Sequence, residues 1–149
     1  MNWSKNSSIE LSRICVVLFM ILLAALDIGC YWAVQWFVEI RLMYWQYGVL
    51  MMVTIYLCSG FGWVLLVRLW RLLANIRAQV IFDARNVALL RAVSWCCVGA
   101  GAVCLVSCLY YLPFIAVAIA AGFMALIVRI IKNIFQQAID MKAELDLTI

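Results

Sequence analysis

The sequence contains no histidine and a single proline, and charged residues make up only 12% of its 149 positions. Without histidine, the chain lacks the commonest metal ligand and the side chain that most often moves protons near neutral pH. Soluble proteins carry about 25% charged residues, whereas this chain is 70% hydrophobic with a mean hydropathy of +1.12. This composition excludes a water-soluble domain, and we expect a single membrane domain that is not an enzyme and binds no metal or cofactor.

The sequence also lacks a redox pair of cysteines, because no two cysteines are separated by two residues as in a thiol oxidoreductase. All seven cysteines lie within or at the edges of apolar runs, where a free thiol behaves as a small hydrophobic side chain. They are Cys15, Cys30, Cys58, Cys96, Cys97, Cys104 and Cys108. We expect packing roles for them, not redox or metal chemistry.

What is present is a series of apolar runs, each long enough to cross a ~30 Å hydrocarbon layer as a helix. They cover residues 14–34, 47–67, 92–111 and 113–131. The last two runs belong to one uncharged stretch, residues 92–128, which would be ~55 Å long as a single helix. Pro113 divides it, because the residue before a proline is pushed out of helical conformation. The sequence therefore predicts an all-α membrane protein with four transmembrane helices.

Two features suggest how the first helix begins and ends. Ser7 and Glu10 have the spacing of a capping box, which predicts a helix start near Ser8. Residues 31–47 are rich in tryptophan and tyrosine, which favour the headgroup level of a bilayer. We expect this aromatic segment to be a connection lying on the membrane surface, and a groove for an amphipathic ligand or peptide is the alternative.

Residues 68–91 carry five of the eleven basic residues and separate the second and third apolar runs. Helical spacing continues to Arg77, a break is expected at residues 79–82, and Asp83 is placed to cap the next helix. We therefore predict a helical hairpin. The tail, residues 132–149, is predicted to continue helix four and to pack on the hairpin, and binding of a separate partner is the alternative. Its apolar face is predicted to comprise Ile134, Ala138, Met141 and Leu145.

The charge distribution predicts the orientation. Ten of the eleven basic residues flank one side of the predicted spans, and Arg41 alone is on the other. Because lysine and arginine near helix ends stay cytoplasmic, we expect both termini in the cytoplasm and helices two, three and four extending into it. The basic residues would then meet anionic lipid headgroups of a bacterial inner membrane, and direct nucleic-acid binding is not expected. Cys30 and Cys108, both near the outer face, are the only two cysteines expected to be able to pair.

Asp27 is the one acidic residue inside a predicted span, where a carboxylate is costly. Counting outward from Arg13 and Arg68 places Asp27 level with Thr54, so we expect Asp27 to face the helix bundle. The candidate polar cluster that would hydrogen-bond to it comprises Thr54, Tyr56, Ser107 and Tyr110. Two interpretations remain: a structural polar clasp, or a carboxylate that handles protons or cations in a transporter.

A second pattern repeats small side chains along one face of helix three, at intervals of four, three and four residues. The residues are Cys97, Gly101, Cys104 and Cys108. Small residues let helices approach closely in lipid. The stripe therefore predicts a packing surface, either within the chain or between copies in a homo-oligomer.

Three segments resemble the bacterial membrane family catalogued as domain of unknown function 2975. They are residues 11–15, residues 80–87 together with 90–91, and residues 144–149. The family commonly ends in Glu-Asn-Asp-Leu-Thr-Ile, and Leu145 stands here in place of the asparagine. The resemblance implies a cytoplasmic-membrane protein without an assigned reaction, whose gene often neighbours one for a small helix-turn-helix regulator.

Two functions follow as expectations. The first is a membrane partner that tethers or signals to such a regulator, with a docking surface formed by the hairpin and tail. The candidate docking residues are Arg77, Phe82, Asp83, Arg85, Asn86, Asp146, Leu147, Thr148 and Ile149. The second is a small exporter or immunity protein that uses Asp27 and the aromatic outer face.

Overall fold

The computed structural model describes residues 3–148, with side chains described from Ser7 onward. Four helices account for nearly all of this part of the chain, which contains no strand. They are α1 Trp3–Arg41, α2 Trp45–Arg77, α3 Ala84–Ser107 and α4 Phe114–Leu147. Each is long and apolar enough to cross a membrane. The chain is an all-α, multi-pass membrane protein, as its composition predicts.

The helices are longer than the membrane spans require. At 1.5 Å per residue, the 39 residues of α1 extend for ~58 Å and the 34 residues of α4 for ~51 Å. Both exceed a ~30 Å hydrocarbon layer. Each helix therefore projects beyond the apolar layer, and the connections between helices are short.

The start of α1 differs from its prediction. The helix begins at Trp3, so Ser7 and Glu10 lie inside it and do not mark its start near Ser8. The carboxylate of Glu10 instead lies 3.0 Å from the Arg77 guanidinium on α2. Arg13, one turn further along α1, stacks over the Trp70 ring at 4.4 Å. The polar residues before Leu11 therefore extend the helix and join it to α2.

The aromatic segment was also predicted wrongly as a surface connection. Helix α1 continues to Arg41, and only residues 42–44 separate it from α2. The segment contains no proline and has no glycine before Gly48, so nothing in it stops the helix before Arg41. Leu42, at φ 50°, makes the turn. The aromatic side chains thus belong to the end of α1 and the start of α2, where Trp32 and Trp36 are both exposed.

The four helices form an open row and not a closed bundle. Helix α1 packs on α2, α2 on α3, and α3 on α4, whereas no other pair of described helices brings Cα atoms within 8 Å. Short connections make neighbouring helices antiparallel. We call the end with the 78–83 connection the basic end and the end with the 42–44 and 108–113 connections the aromatic end. Helices α1 and α4 lie at the two edges, where most of their surface faces lipid.

Side chains link non-neighbouring helices near the two ends of the row. At the aromatic end, Phe37 of α1 meets Tyr111 of the α3–α4 connection edge to face, with 5.8 Å between ring centroids. Near the basic end, Phe135 of α4 packs against a buried cluster on α2 and α3 formed by Leu72, Leu89 and Leu90. These contacts hold the row together where the helices leave the membrane.

The tail continues α4 and contacts the hairpin, but through a different face from the one predicted. Of the predicted face, Ile134, Met141 and Leu145 are exposed and only Ala138 is half-buried. The contacts are made by Phe135 and by Lys142, whose Nζ lies 5.4 Å from the centre of the Phe82 ring. The prediction selected this face by the spacing of its apolar residues. Such spacing does not show whether an apolar face packs on protein or stays exposed.

Candidate functional site

Asp27 lies half-buried between α1 and α2 and is held by two residues of α2. Its Oδ2 accepts a hydrogen bond of 2.9 Å from Trp63 Nε1. Its backbone carbonyl accepts one of 3.1 Å from the Tyr56 hydroxyl. Its Oδ1 is buried and has no partner among the described residues. The carboxylate therefore retains one free acceptor that faces protein and not water.

The packing of α1 on α2 explains why Thr54 is not among these partners. Along the interface, Gly48 lies against Val38, and Gly62 lies against Leu23. Interpolating between these contacts puts Asp27 level with residues 58–59, about one turn from Thr54. The prediction counted from Arg13 and Arg68 as if these two arginines lay at the same depth. In the structure the two helices are shifted along their axes relative to that alignment.

Ser59 lies at this same level of α2, and its Oγ is buried without a partner in the described part of the chain. A carboxylate oxygen and a hydroxyl without partners at one depth are able to bind a proton or a hydrogen-bond donor. No group of three or more histidine, cysteine or acidic residues placed to hold a metal ion occurs within residues 3–148.

The other predicted polar residues form a separate cluster between α2 and α3. Thr54 Oγ1 lies 2.8 Å from Ser107 Oγ and also hydrogen-bonds to the Tyr110 hydroxyl. The Tyr110 hydroxyl donates to the Leu50 carbonyl at 3.1 Å. The five predicted residues are thus divided between two places: Asp27 with Tyr56, and Thr54 with Ser107 and Tyr110. This second cluster fastens the two helices and contains no carboxylate.

Trp63 was missed by the sequence analysis. The available signal was its spacing, because Trp63 follows Tyr56 by seven residues and so lies on the same face of α2. An indole N–H within a membrane requires an acceptor. Asp27 is the only acidic side chain in the predicted spans, and this would have made the pairing a testable expectation.

The small-residue stripe of α3 packs within the chain, against two different helices. A Cβ at Gly101 would meet the Ala121 Cβ of α4 at 3.4 Å. Cys104 Sγ lies 3.5 Å from Cys58 Sγ of α2. Cys97 is buried as well, whereas Cys108 is half-buried and its thiol donates to the Cys104 carbonyl. All seven cysteines, including Cys30 and Cys108, are free thiols.

The turn between α2 and α3 is organised by Asn86, which is fully buried. Its Nδ2 donates to the Val80 and Ile81 carbonyls at 2.7 and 3.0 Å. Its Oδ1 accepts from Asn75 Nδ2 at 2.8 Å. Asn86 was predicted to be part of a docking surface, but a buried side chain cannot contact a partner there. It holds the turn because the nitrogen and the oxygen of its side-chain amide both hydrogen-bond within the chain.

Comparison with known proteins gives one match. A family model described as "Protein of unknown function (DUF2975)" matches residues 12–149. The chain belongs to this family. No curated protein and no solved structure matches it. The resemblance carried by the hairpin and tail residues is therefore confirmed, and the family contributes no assigned activity.

In this DUF2975 protein, the remaining candidate docking residues lie at the basic end with different exposures. Phe82, Arg85, Asp146, Leu147 and Thr148 are exposed, and so is Arg77, although it pairs with Glu10. Asp83 is half-buried and accepts a hydrogen bond of 2.9 Å from the Arg85 amide, which is the helix cap that the sequence predicts. Ile149 lies outside the described residues. An exposed aromatic ring and an exposed guanidinium therefore lie three residues apart where the connection meets α3.

Proposed function

We propose that this DUF2975 protein is a non-enzymatic membrane partner that tethers a small cytoplasmic helix-turn-helix regulator. The observation that carries the proposal is the construction of the 78–83 turn. Asn86 and the Asp83 cap hold the turn, while Phe82 on the turn and Arg85 in the first turn of α3 remain exposed. A preorganised turn loses little conformational entropy when it binds a partner. The frequent neighbouring gene for such a regulator in this family supports the choice of partner.

The proposal requires the basic end to face the cytoplasm of a bacterium. Ten of the eleven basic residues support this orientation, because only Arg41 belongs to the aromatic end. Helices α2 and α4 would then project from the inner membrane into the cytoplasm. The exposed tail residues 146–148 would lie on the same side as the turn and enlarge the docking surface.

Reversing the charge of Arg85 tests the proposal. Its side chain is 86% exposed and lies 3.9 Å from the Asp83 carboxylate, whereas the helix cap itself uses only the Arg85 backbone amide. Arg85→Glu should therefore leave the fold intact and lower recovery of the neighbouring regulator, co-purified from membranes, at least tenfold. Arg41→Glu, a reversal at the aromatic end, is the matched control and should leave recovery unchanged.

Equal recovery of the regulator with Arg85→Glu and with the unaltered chain would contradict the proposed docking surface. A reporter enzyme fused after the tail that is active only outside the cell would contradict the orientation. The two measurements separate an incorrect surface from an incorrect topology.

The second candidate is a small exporter or immunity protein that works through Asp27. The specific observation favouring it is the buried Oδ1 of Asp27, which has no partner among residues 3–148. Such an acceptor is available to a proton or to a cationic group of a substrate. The exposed Trp32 and Trp36 on the same helix would meet an amphipathic compound at the outer surface.

Asp27→Asn distinguishes the two candidates. The amide keeps an acceptor for Trp63 Nε1 but removes the negative charge. If the protein is a proton-coupled exporter, protection of cells against a lipophilic cation should be lost, whereas Asp27→Glu should retain part of it. If the protein is a tether, regulator recovery should be the same for Asp27→Asn as for the unaltered chain. Loss of regulator recovery in Asp27→Asn membranes with normal protein levels would contradict the tether proposal.

A further inference from the structure

A polar cavity of about 280 Å³ opens between α3 and α4 near the basic end. Three cations line it: Arg91 from α3, and Arg129 and Lys132 from α4. The remaining lining residues are Ser94, Trp95 and Val98. The cavity is therefore a basic pocket between two helices, with an exposed tryptophan at its side.

The three cations are not neutralised by the chain. No salt bridge among the described residues includes Arg91, Arg129 or Lys132, although Glu10 and Asp83 pair with other arginines. Three like charges around one cavity repel each other unless an anion lies between them. The pocket therefore suits a phosphate group.

An apolar groove begins at the inner side of this pocket. The groove has a volume of about 400 Å³ and shares Ser94, Val98 and Arg129 with the pocket. Ser94 is buried and donates to the Ala125 carbonyl at 3.1 Å, which holds α3 and α4 together at the junction. Beyond the junction, the groove is lined by small residues of both helices: Gly101, Ala102, Ala118 and Gly122.

The length of the groove matches one leaflet of a bilayer. From Arg129 to Ala118, α4 rises ~16 Å, and from Ser94 to Leu105, α3 rises by the same amount. Half of the hydrocarbon thickness is ~15 Å. A phosphate in the pocket would therefore be at headgroup depth, with its acyl chain along the groove toward the membrane centre.

We propose that the α3–α4 groove is a binding site for an anionic glycerophospholipid. Its phosphate is bound by Arg91, Arg129 and Lys132, Trp95 lies at the headgroup level, and one acyl chain lies against Gly101 and Gly122. Charge complementarity selects an anionic over a zwitterionic lipid, because a choline group would add a cation to three others. This site is independent of the turn proposed to dock a regulator.

Native mass spectrometry of the full chain in detergent tests the charge requirement. Phosphatidylglycerol should bind at least tenfold more tightly than phosphatidylcholine with the same acyl chains. Arg129→Gln and, separately, Lys132→Gln should each weaken phosphatidylglycerol binding about fivefold. Arg71→Gln removes an exposed cation at the same end of the chain, outside the pocket and groove, and should leave binding unchanged.

The groove is tested by adding a side chain at Gly122. A Cβ there meets no atom within 4 Å, so Gly122→Leu should fold and occupy the groove. It should weaken binding of long-chain phosphatidylglycerol at least tenfold but leave the dihexanoyl lipid nearly unaffected. Gly60→Leu is the matched control, because a Cβ at Gly60 also meets no atom within 4 Å.

Several results would overturn the proposal. One is equal binding of phosphatidylcholine and phosphatidylglycerol. Another is unchanged phosphatidylglycerol binding in Arg129→Gln, Lys132→Gln and Gly122→Leu proteins that retain their circular dichroism. Inorganic phosphate that competes as strongly as the phospholipid would indicate a site for the free anion, which also excludes the lipid assignment.

Discussion

Replacing Asn86 with alanine is expected to lower the free energy of unfolding by about 3 kcal/mol. The substitution leaves the Val80 and Ile81 carbonyls and the Asn75 amide without their partner. It also opens a cavity at a fully buried position. Because these hydrogen bonds join α3 to Asn75 of α2 and to the connection between the two helices, both helices should be destabilised.

Unfolding in mixed micelles of a mild detergent and dodecyl sulfate, followed by circular dichroism, measures this change. Asn133→Ala replaces an exposed asparagine of α4 and is the matched control, with an expected effect below about 0.5 kcal/mol. Asn86→Asp keeps the shape but presents an acceptor to two carbonyls, so it should be at least as destabilising as alanine. Equal stability of the Asn86→Ala and Asn133→Ala proteins would show that the turn does not depend on Asn86.

Leucine at Gly48 is expected to destabilise the chain by about 3 kcal/mol and to loosen α1 at the aromatic end. A Cβ at this position would lie 2.9 Å from Val38 Cγ2 and 3.6 Å from Val34 Cγ1. Valine has one strongly preferred rotamer in a helix, so it has little freedom to move aside. Among the described helices, the backbone of α1 packs on α2 alone, and at this end the ring contact of Phe37 with Tyr111 would be left to hold it.

Reactivity of Cys30 reports on this loosening, because Cys30 is buried in the same cluster as Val34 and Val38. Gly48→Leu should raise its rate of labelling by N-ethylmaleimide at least tenfold, measured on the peptide by mass spectrometry. Gly60→Leu places the same side chain on the same helix where the Cβ has open space, and it should leave the rate unchanged. Slow labelling of Cys30 in both variants would mean that α1 is held by contacts other than this interface.

The exposed edge helices have a consequence for how the protein sits in a membrane. In a closed bundle, α1 and α4 would cover each other, whereas here lipid is their neighbour along most of their length. The contacts of Phe37 with Tyr111 and of Phe135 with the leucine cluster are therefore important for holding the edge helices in place, although they are few. They connect the edge helices to the rest of the row near its two ends, away from the middle of the apolar layer.

Particular residues show how far the sequence could predict this arrangement. Asp83 was identified as a helix cap because capping depends on the residue and its next few neighbours. The depth of Asp27 relative to Thr54 was misjudged by about one turn, because the offset between two helices depends on contacts such as that of Gly62 with Leu23. Asn86 was assigned to the docking surface because a polar residue in a basic turn usually faces water. Its burial depends on the path of the backbone at residues 80 and 81.

The sequence by itself determined four apolar helices, the breaks after Arg77 and at Pro113, and the gathering of basic residues at one end. These are local properties, because a helix in lipid satisfies its own backbone hydrogen bonds and needs only sufficient length and apolarity. Only the tertiary structure decided that the helices form an open row, that Trp63 binds Asp27, and that Phe135 and not Ile134 meets the hairpin. The outward faces of membrane helices are as apolar as the inward ones, so hydrophobicity does not select the faces that pack, and close steric fit does.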